Sequence, residues 1–417
     1  MNYNNKIRQR VAGVIRYSCA LLFVLFSFCF LIFLDGDLLA MAQHVYSSGV
    51  THYSIFIGAV IITLSLQLLQ WVLSKVVRFP DLFYALSYFP SFLALVMVTH
   101  MDQQSLETAD FSMWKWLAPL LLCLYAVIVI TVKRLDSRSS VRFREFSALL
   151  WPNYLLLMLM MLFAGSMHSA ADVYMYELKT ERLILQGDYA DACRVGQKAT
   201  VTSRRLNNLR AYALSKQGLL ADGLFLYPQP YGADGLLCLS DTDSLCYRFD
   251  ARDICFSLGG QCGRSVVSLD HFLRLLMNRQ QEVADSIANV DSLLLSTYSD
   301  SLLDVRQRRI DQLEVYRERT RQYYLCKLLL DKNLDAFCLQ LEQTYRLDTL
   351  DEQLPDTLPR SYREALALAC PERSDSLTLR QLDDYRSMKD SLTNMKIRKN
   401  LTRRHFGNTY WWYYDYE

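Results

Sequence analysis

Four of the six histidines in this 417-residue sequence fall at the predicted outer ends of long apolar segments. They are His44, His52, His100 and His168, with Asp35, Asp37, Asp102 and Asp172 close to them in sequence. Imidazoles and carboxylates that converge can hold a divalent metal or relay protons. No two of these histidines have a helical ligand spacing such as H-x3-H. We therefore predict no metal and no cofactor. The alternative is a metal site, for which the four histidines are the candidate ligands.

Four cysteines lie in one stretch, 228–263, that is rich in glycine and proline. They are Cys238, Cys246, Cys255 and Cys262, with seven, eight and six residues between them. A four-cysteine zinc site would require C-x2-C pairs, which this spacing does not provide. Eight of the eleven cysteines lie in residues 168–417, an even number that an oxidising compartment would allow to pair. We predict Cys238–Cys246 and Cys255–Cys262 disulfides; burial as small apolar side chains is the alternative for Cys193, Cys326 and Cys338.

The segment 406–417 is unusually aromatic and follows a run of basic residues. Its centre consists of Tyr410, Trp411, Trp412, Tyr413 and Tyr414. Three interpretations are open for these five residues. They close the end of a helical stack, or they contact the membrane surface, or they form a platform that binds a sugar or peptide.

The first half of the chain contains the elements that would position the histidines. Five apolar runs reach the length of about 20 residues that a membrane helix requires. They are predicted at 17–34, 53–73, 82–101, 114–132 and 146–167. Their cores carry no charged residue of the kind that pumps and coupled transporters keep at the bilayer centre. Residues 1–167 are therefore predicted to be a transmembrane domain, whose polar residues Gln67, Gln70 and Asn153 bond between helices.

The basic residues of this half predict its orientation. Lysine and arginine are concentrated before the first span and after the second and fourth, whereas the loops 35–52 and 102–113 carry acidic residues only. Such basic loops remain on the cytoplasmic side. We therefore predict an inner-membrane protein whose N-terminus is cytoplasmic and whose residues 168–417 are periplasmic.

The second half has the composition of a soluble domain, with 33 basic and 35 acidic residues in 168–417. This balance gives no indication of nucleic-acid binding. The segment 174–227 contains two helix–turn–helix units with Gly187 and Gly218 at their turns, and it resembles tetratricopeptide repeats. The predicted fold is therefore all-α, with five transmembrane helices followed by an extracytoplasmic helical-hairpin solenoid that is tetratricopeptide-like.

Two further stretches, LNNLRAYALSKQGLLADGLFLYPQPYGADGLL at 206–237 and FGNTYWWYY at 406–414, accompany the membrane bundle. With it they resemble an uncharacterised family of Bacteroidota inner-membrane proteins that have a tetratricopeptide-like periplasmic domain. The resemblance implies a Gram-negative envelope and a periplasmic solenoid. It implies no reaction and no catalytic residue.

The sequence favours a membrane-anchored scaffold that contacts the lipid bilayer and binds an envelope protein or peptide, without catalysis. A solenoid presents many side chains on a rigid surface, which suits polypeptide recognition. The alternative is an envelope enzyme or transporter that acts on a lipid-linked glycan or small solute at the outer edge of the membrane bundle. The histidine positions are the feature that favours this alternative.

Overall fold

The computed structural model describes residues 2–100, 112–138, 146–167, 173–237, 248–261, 268–288, 300–345 and 358–417. Within these ranges the chain is helical throughout, with turns and short 3-10 segments between the helices. The all-α prediction is therefore confirmed, with five apolar helices of membrane length followed by a further helical region.

The helices are numbered in chain order. They are α1 (Asn2–Phe33), α2 (Gly36–Tyr46), α3 (Ile55–Val76), α4 (Phe89–Thr99), α5 (Ser112–Arg138), α6 (Phe146–Met167), α7 (Val173–Gln186), α8 (Tyr189–Arg194), α9 (Arg204–Lys216), α10 (Leu220–Gly223), α11 (Ala251–Ser257), α12 (Leu269–Ala288), α13 (Asp300–Leu330), α14 (Leu334–Tyr345), α15 (Arg360–Ala369), α16 (Ser376–Asp390), α17 (Met395–Phe406) and α18 (Tyr410–Tyr416). The chain divides into two compact units. Unit 1 comprises residues 1–178 with 245–248, and unit 2 comprises residues 179–244 with 249–417.

Unit 1 contains the five candidate membrane spans found in the described part of the chain. They run over Ala12–Phe33, Ile55–Val76, Asp81–Thr99, Trp114–Arg134 and Leu149–Met167. In four of them at most a third of the residues are buried inside the bundle, as lipid contact requires, whereas half of Asp81–Thr99 is buried. The five predicted spans thus correspond to five helical segments, and the bounds differ by a few residues at each end.

Buried amides join the spans to one another. Asn153 on α6 accepts a hydrogen bond from the Ala85 N–H at 2.8 Å and donates to the Asp81 carbonyl at 2.9 Å. Both partners lie in the 3-10 segment Asp81–Tyr88, which precedes α4. Gln70 on α3 donates to the Ser87 hydroxyl of the same segment at 2.8 Å. These bonds satisfy polar groups that lipid cannot, so the interhelical role predicted for Gln70 and Asn153 is confirmed. Gln67 differs from the prediction, because its amide donates to Gln70 within α3 at 3.0 Å.

A short helix, α2, occupies most of the stretch 35–52 that the sequence analysis treated as a loop. Its apolar face packs Leu38, Met41 and Ala42 against Tyr174 and Leu178 of α7. With 11 residues, α2 is too short to be recognised as a span. Its hydrophobic face therefore became apparent only from the packing.

Three helical hairpins, α7–α8, α9–α10 and α13–α14, turn in the same way, and their turn residues all lie in unit 2. The turn residues Gly187, Gly218 and Lys332 have φ of +81°, +72° and +57°. Each donates its N–H to the carbonyl three residues earlier, and the next residue donates to the carbonyl five residues earlier, at 2.9–3.1 Å. This is the Schellman pattern, which satisfies the last carbonyls of the first helix. At Lys332 the ammonium also donates to the Tyr414 carbonyl at 2.9 Å, which offsets the strain of a non-glycine residue.

Replacing Gly218 by alanine is expected to lower the free energy of unfolding of unit 2 by about 1 kcal/mol. A Cβ at this position would meet no atom within 4 Å, so the loss would arise from the left-handed backbone alone. Gly218→Asn should lower the free energy of unfolding by a smaller amount, because asparagine tolerates this conformation. Hydrogen exchange of α9 amides in the full-length protein would measure both values. Equal losses for the two variants would contradict the backbone explanation.

The first two hairpins depart from the repeat pattern in their second helices. Helix α8 has only six residues and ends before Val195, whose extended backbone is followed by Gly196 at φ +59°. In the second hairpin Gly223 leaves no room for a side chain, because an added Cβ would lie 2.5 Å from a Leu214 methyl carbon.

Helix α9 lies at the centre of unit 2, where all residues from Leu206 to Ser215 are buried. Its polar side chains satisfy the backbone of neighbouring loops. Arg210 donates to the carbonyls of Val195 and Gly196 at 2.9 and 3.0 Å. Asn207 donates to the Pro228 carbonyl at 3.0 Å. The two irregular segments that follow α8 and α10 are therefore fixed to the central helix.

Candidate functional site

The described candidate histidines lie at or next to the ends of unit 1 helices. His44 is in the last turn of α2, and its ring packs on Gly49. His52 is exposed before α3, and His100 follows α4 with Nδ1 3.4 Å from the Met167 carbonyl. His168 is outside the described residues. Among the residues that are described, no three His, Cys, Asp or Glu side chains gather closely enough to hold a metal ion.

Of the four cysteines in 228–263, Cys255 is in α11 and fully buried, and the other three lie outside the described residues. The two predicted disulfides therefore stay predictions. The stretch itself is less irregular than its composition suggested, since it contains α11, which begins with a capping box between Asp250 and Asp253.

Two cysteines outside that stretch, Cys326 and Cys338, have protected thiols. Cys326 is completely buried, and burial raises the pKa of its thiol to about 12. Cys338 on α14 is half-buried, and burial together with the neighbouring Cys370 thiol raises its pKa to about 12. The proximity of Cys338 and Cys370 was not predictable from sequence, because the two residues are brought together by the packing of α14 against α15.

The aromatic residues of α18 form part of the core of unit 2. Tyr410, Trp411, Trp412 and Tyr413 are at most 4% exposed, whereas Tyr414 is 36% exposed. The Tyr410 and Tyr413 hydroxyls donate to the Leu329 and Leu330 carbonyls at 3.2 and 2.7 Å. These carbonyls belong to the last turn of α13, where the Leu329 carbonyl also accepts the Lys332 N–H at 3.0 Å. Of the five residues proposed for binding, Trp412 and Tyr413 also line a cleft described below.

Helix α18 is fixed to its neighbours at several further points. Glu364 of α15 accepts the Tyr410 N–H through its carboxylate at 2.7 Å, and its carbonyl accepts the Trp411 indole N–H at 2.8 Å. Asp415 accepts from the Tyr385 hydroxyl at 2.6 Å and pairs with Lys389 at 2.7 Å. Burial raises the pKa of Glu364, and this rise is opposed by Arg360 and by the bond from Tyr410.

An open groove on unit 2, here called the α11 groove, lies between α9, α11 and α13. Its volume is about 570 Å³. Its charged and apolar lining residues include Tyr212 and Lys216 of α9, Asp253 and Phe256 of α11, and Asp311, Val315 and Arg319 of α13. Phe256 is 56% exposed and Val315 is 45% exposed, which gives the groove an apolar centre.

The α11 groove carries charges of both signs around that centre. Burial, and secondarily the nearby Arg319 guanidinium, lower the pKa of Lys216. Among the described residues, neither Lys216 nor Arg319 has a carboxylate within 4.0 Å. Asp253 and Asp311 are exposed on the other two helices. The groove therefore offers cations and anions, beside exposed apolar side chains, to a bound molecule.

A second and larger cavity, here called the C-terminal cleft, also belongs to unit 2. It is lined by residues from 197–200 and 225–228, and by residues of α17, α18 and their flanking turns. Its volume is about 1040 Å³. The basic and aromatic residues on its α17 and α18 side were recognised in the sequence. Lys198 and Tyr227 line its other side. No sequence pattern connects these two residues with α17 and α18, which lie about two hundred residues further along the chain.

A profile of DUF6057, a family of unknown function, matches residues 105–261 and 293–417. The match covers more than half of the chain, which therefore belongs to this family. The lining residues of both the α11 groove and the C-terminal cleft fall within the matched segments. Neither the curated proteins nor the solved structures include a significant match to the chain.

Proposed function

We propose that this member of the DUF6057 family is a membrane-anchored helical scaffold that binds a polypeptide of the cell envelope in the α11 groove, without catalysis. The observation that carries this proposal is the combination of exposed Phe256 and Val315 with flanking charges of both signs. Solvent-exposed aromatic and aliphatic side chains beside unpaired charges are typical of protein-binding surfaces.

The occupant that suits the groove is an amphipathic segment with one apolar anchor and flanking charges of both signs. Lys216 and Arg319 are available for a carboxylate of the partner, because no described carboxylate lies within 4.0 Å of either. Asp253 accepts the Asp250 N–H and Asp311 accepts the Gln307 amide, and the second oxygen of each exposed carboxylate can accept from a lysine or arginine. Complementary charges of this kind select the partner and fix its register more than they increase affinity.

The proposal includes the location of both units. Unit 1 anchors the protein in the inner membrane with its N-terminus in the cytoplasm, and unit 2 is periplasmic. The distribution of basic residues between the spans supports this orientation. The shared turn of the three hairpins supports a tetratricopeptide-like arrangement of unit 2. An alkaline phosphatase fused after Tyr174 is expected to be active, and an inactive fusion would contradict the orientation.

The binding proposal is tested by site-specific photo-crosslinking in cells. A photoreactive amino acid in place of Phe256 should give a discrete adduct with a protein, identified by mass spectrometry. The same amino acid in place of Leu339, which is also exposed but lies on α14 and does not line the groove, is the matched control. It should not give that adduct.

The double variant Lys216→Glu/Arg319→Glu should abolish the Phe256 adduct while the protein is still produced and inserted. The result that would overturn the proposal is an adduct that survives this charge reversal or forms equally from Leu339. If only lipid or glycan adducts formed, the alternative of an envelope enzyme or transporter at the membrane edge would be favoured instead.

A further inference from the structure

The C-terminal cleft has three cations on its walls that no described carboxylate neutralises. Arg403 and Arg404 come from the last turn of α17, and Lys198 comes from the loop after α8. Among the described residues, none of the three has a carboxylate oxygen within 4.0 Å. Three cations around one cavity repel each other unless an anion lies between them.

One carboxylate side chain also lines the cleft, and it lies more than 4.0 Å from each of the three cations. The Glu417 carboxylate accepts the Gln229 N–H at 2.6 Å. The Arg403 guanidinium stacks on the Trp412 ring, with 5.5 Å between the guanidinium carbon and the ring centroid. This contact fixes the position of Arg403 beside the cavity, because the positive guanidinium is attracted to the face of the indole ring.

Trp412 provides an independent indication of a missing acceptor. The side chain lines the cleft and is 3% exposed, and its indole N–H has no acceptor among the described residues. The adjacent Trp411 differs, because its indole N–H donates to the Glu364 carbonyl at 2.8 Å. A buried N–H without an acceptor is unfavourable and rare in folded proteins. The attraction of Arg403 and Arg404 to the C-terminal dipole of α17 would account for those two cations, but not for this donor.

We propose that the C-terminal cleft binds a phosphate-bearing ligand, either a soluble phosphate ester or the headgroup of a lipid. The donors on its walls differ in geometry: there are two guanidinium forks and one ammonium, and the Trp412 ring, whose indole N–H is buried, lies beside Arg403. A phosphate group has several acceptor oxygens and can use all of them, whereas a carboxylate has two. The cavity is also larger than an inorganic phosphate ion needs, and the exposed Leu226 on its rim adds an apolar contact for the group that carries the phosphate.

The proposal is independent of polypeptide binding in the α11 groove, and the following experiment does not involve that groove. The full-length protein is labelled with ¹⁵N-tryptophan and purified in a non-ionic detergent. It is then titrated with glycerol 3-phosphate, with dihexanoyl phosphatidylglycerol and with glycerol as the uncharged control. The chain has six tryptophans, and a Trp412→Phe variant identifies the Trp412 indole resonance.

Binding of a phosphate oxygen should shift the Trp412 indole proton downfield and leave the Trp151 and Trp116 resonances of unit 1 unchanged. Shifts with both charged probes would indicate that a soluble phosphate ester suffices. A shift with the lipid alone would identify a lipid headgroup as the source. Glycerol should have no effect.

Matched charge variants test the cations. Lys198→Gln/Arg404→Gln should weaken binding about tenfold or more, because it removes two charged hydrogen-bond donors. Lys396→Gln, also on α17 but outside the cleft, should change the affinity less than about twofold. The proposal would be overturned if neither charged probe moved the Trp412 resonance at millimolar concentration. Equal weakening by the control variant would overturn it as well.

Discussion

Replacing Trp411 by alanine is expected to lower the free energy of unfolding of unit 2 by about 3–5 kcal/mol, the range observed for buried tryptophan. Trp411 is 1% exposed and packs with Ala367, Leu382 and Tyr385. Its indole N–H also donates to the Glu364 carbonyl, so the variant loses a buried hydrogen bond together with the ring. Hydrogen exchange of α15 and α16 amides in the full-length protein would measure the loss.

A second Trp411 variant separates the contribution of its hydrogen bond from that of its packing, and a variant at Tyr414 is the control. Trp411→Phe keeps most of the packing and removes the indole N–H, so it should lose about 1–2 kcal/mol. Tyr414→Ala, on the same helix but 36% exposed, should lose less than about 1 kcal/mol. If Trp411→Ala were as mild as Tyr414→Ala, α18 would not be part of the core of unit 2, and the described packing would be wrong.

For α18 the sequence predicted the unusual aromatic cluster but could not select its role. A cluster of aromatic residues near basic ones was compatible with capping, membrane contact or ligand binding, since each uses large amphipathic rings. What distinguishes them is the set of acceptors that the rings meet, namely the carbonyls at the end of α13 and in α15. Those contacts join residues more than forty positions apart, which no local pattern encodes.

The membrane spans, in contrast, were predictable because a local sequence pattern specifies them. A bilayer imposes one length and one composition on every helix that crosses it, so hydropathy alone located all five. The amides Gln70 and Asn153 were recognised because polar residues are conspicuous in an apolar run. The 3-10 geometry of Asp81–Tyr88 was not recognised, because it depends on the bonds that these amides make to it.

Helix α9 was placed in the right segment, but its environment could not be predicted. Asn207, Arg210 and Ser215 are polar, yet each is at most 5% exposed. Sequence patterns assign polar positions to the solvent face of a helix. In α9, Asn207 and Arg210 instead satisfy carbonyls of adjacent irregular segments. The C-terminal cleft is lined by both of those segments, and this explains why the sequence indicated only its α17 and α18 side.

Asp35 is expected to make the stability of unit 1 fall as the pH rises. The side chain is fully buried in the turn between α1 and α2, and burial raises its pKa to about 7. An unfolded aspartate has a pKa near 4. The folded state therefore binds the proton more tightly, and the free energy of unfolding decreases between about pH 4 and pH 7. The total decrease is about 4 kcal/mol, of which about 2–3 kcal/mol falls between pH 5 and pH 8.

Asp35→Asn removes the titrating group, so its thermal midpoint in detergent should vary less between pH 5 and pH 8 than that of the parent protein. The variant should also be the more stable of the two at pH 8, where the parent protein keeps a buried carboxylate ionised. Asp81→Asn is the control, because Asp81 lies at the opposite end of the first span, in an exposed pair with Arg16 at 3.2 Å. It should retain the pH dependence of the parent. If Asp35→Asn retained it too, the dependence would have to come from another group, and the protonation of Asp35 would not govern the stability of the α1–α2 turn.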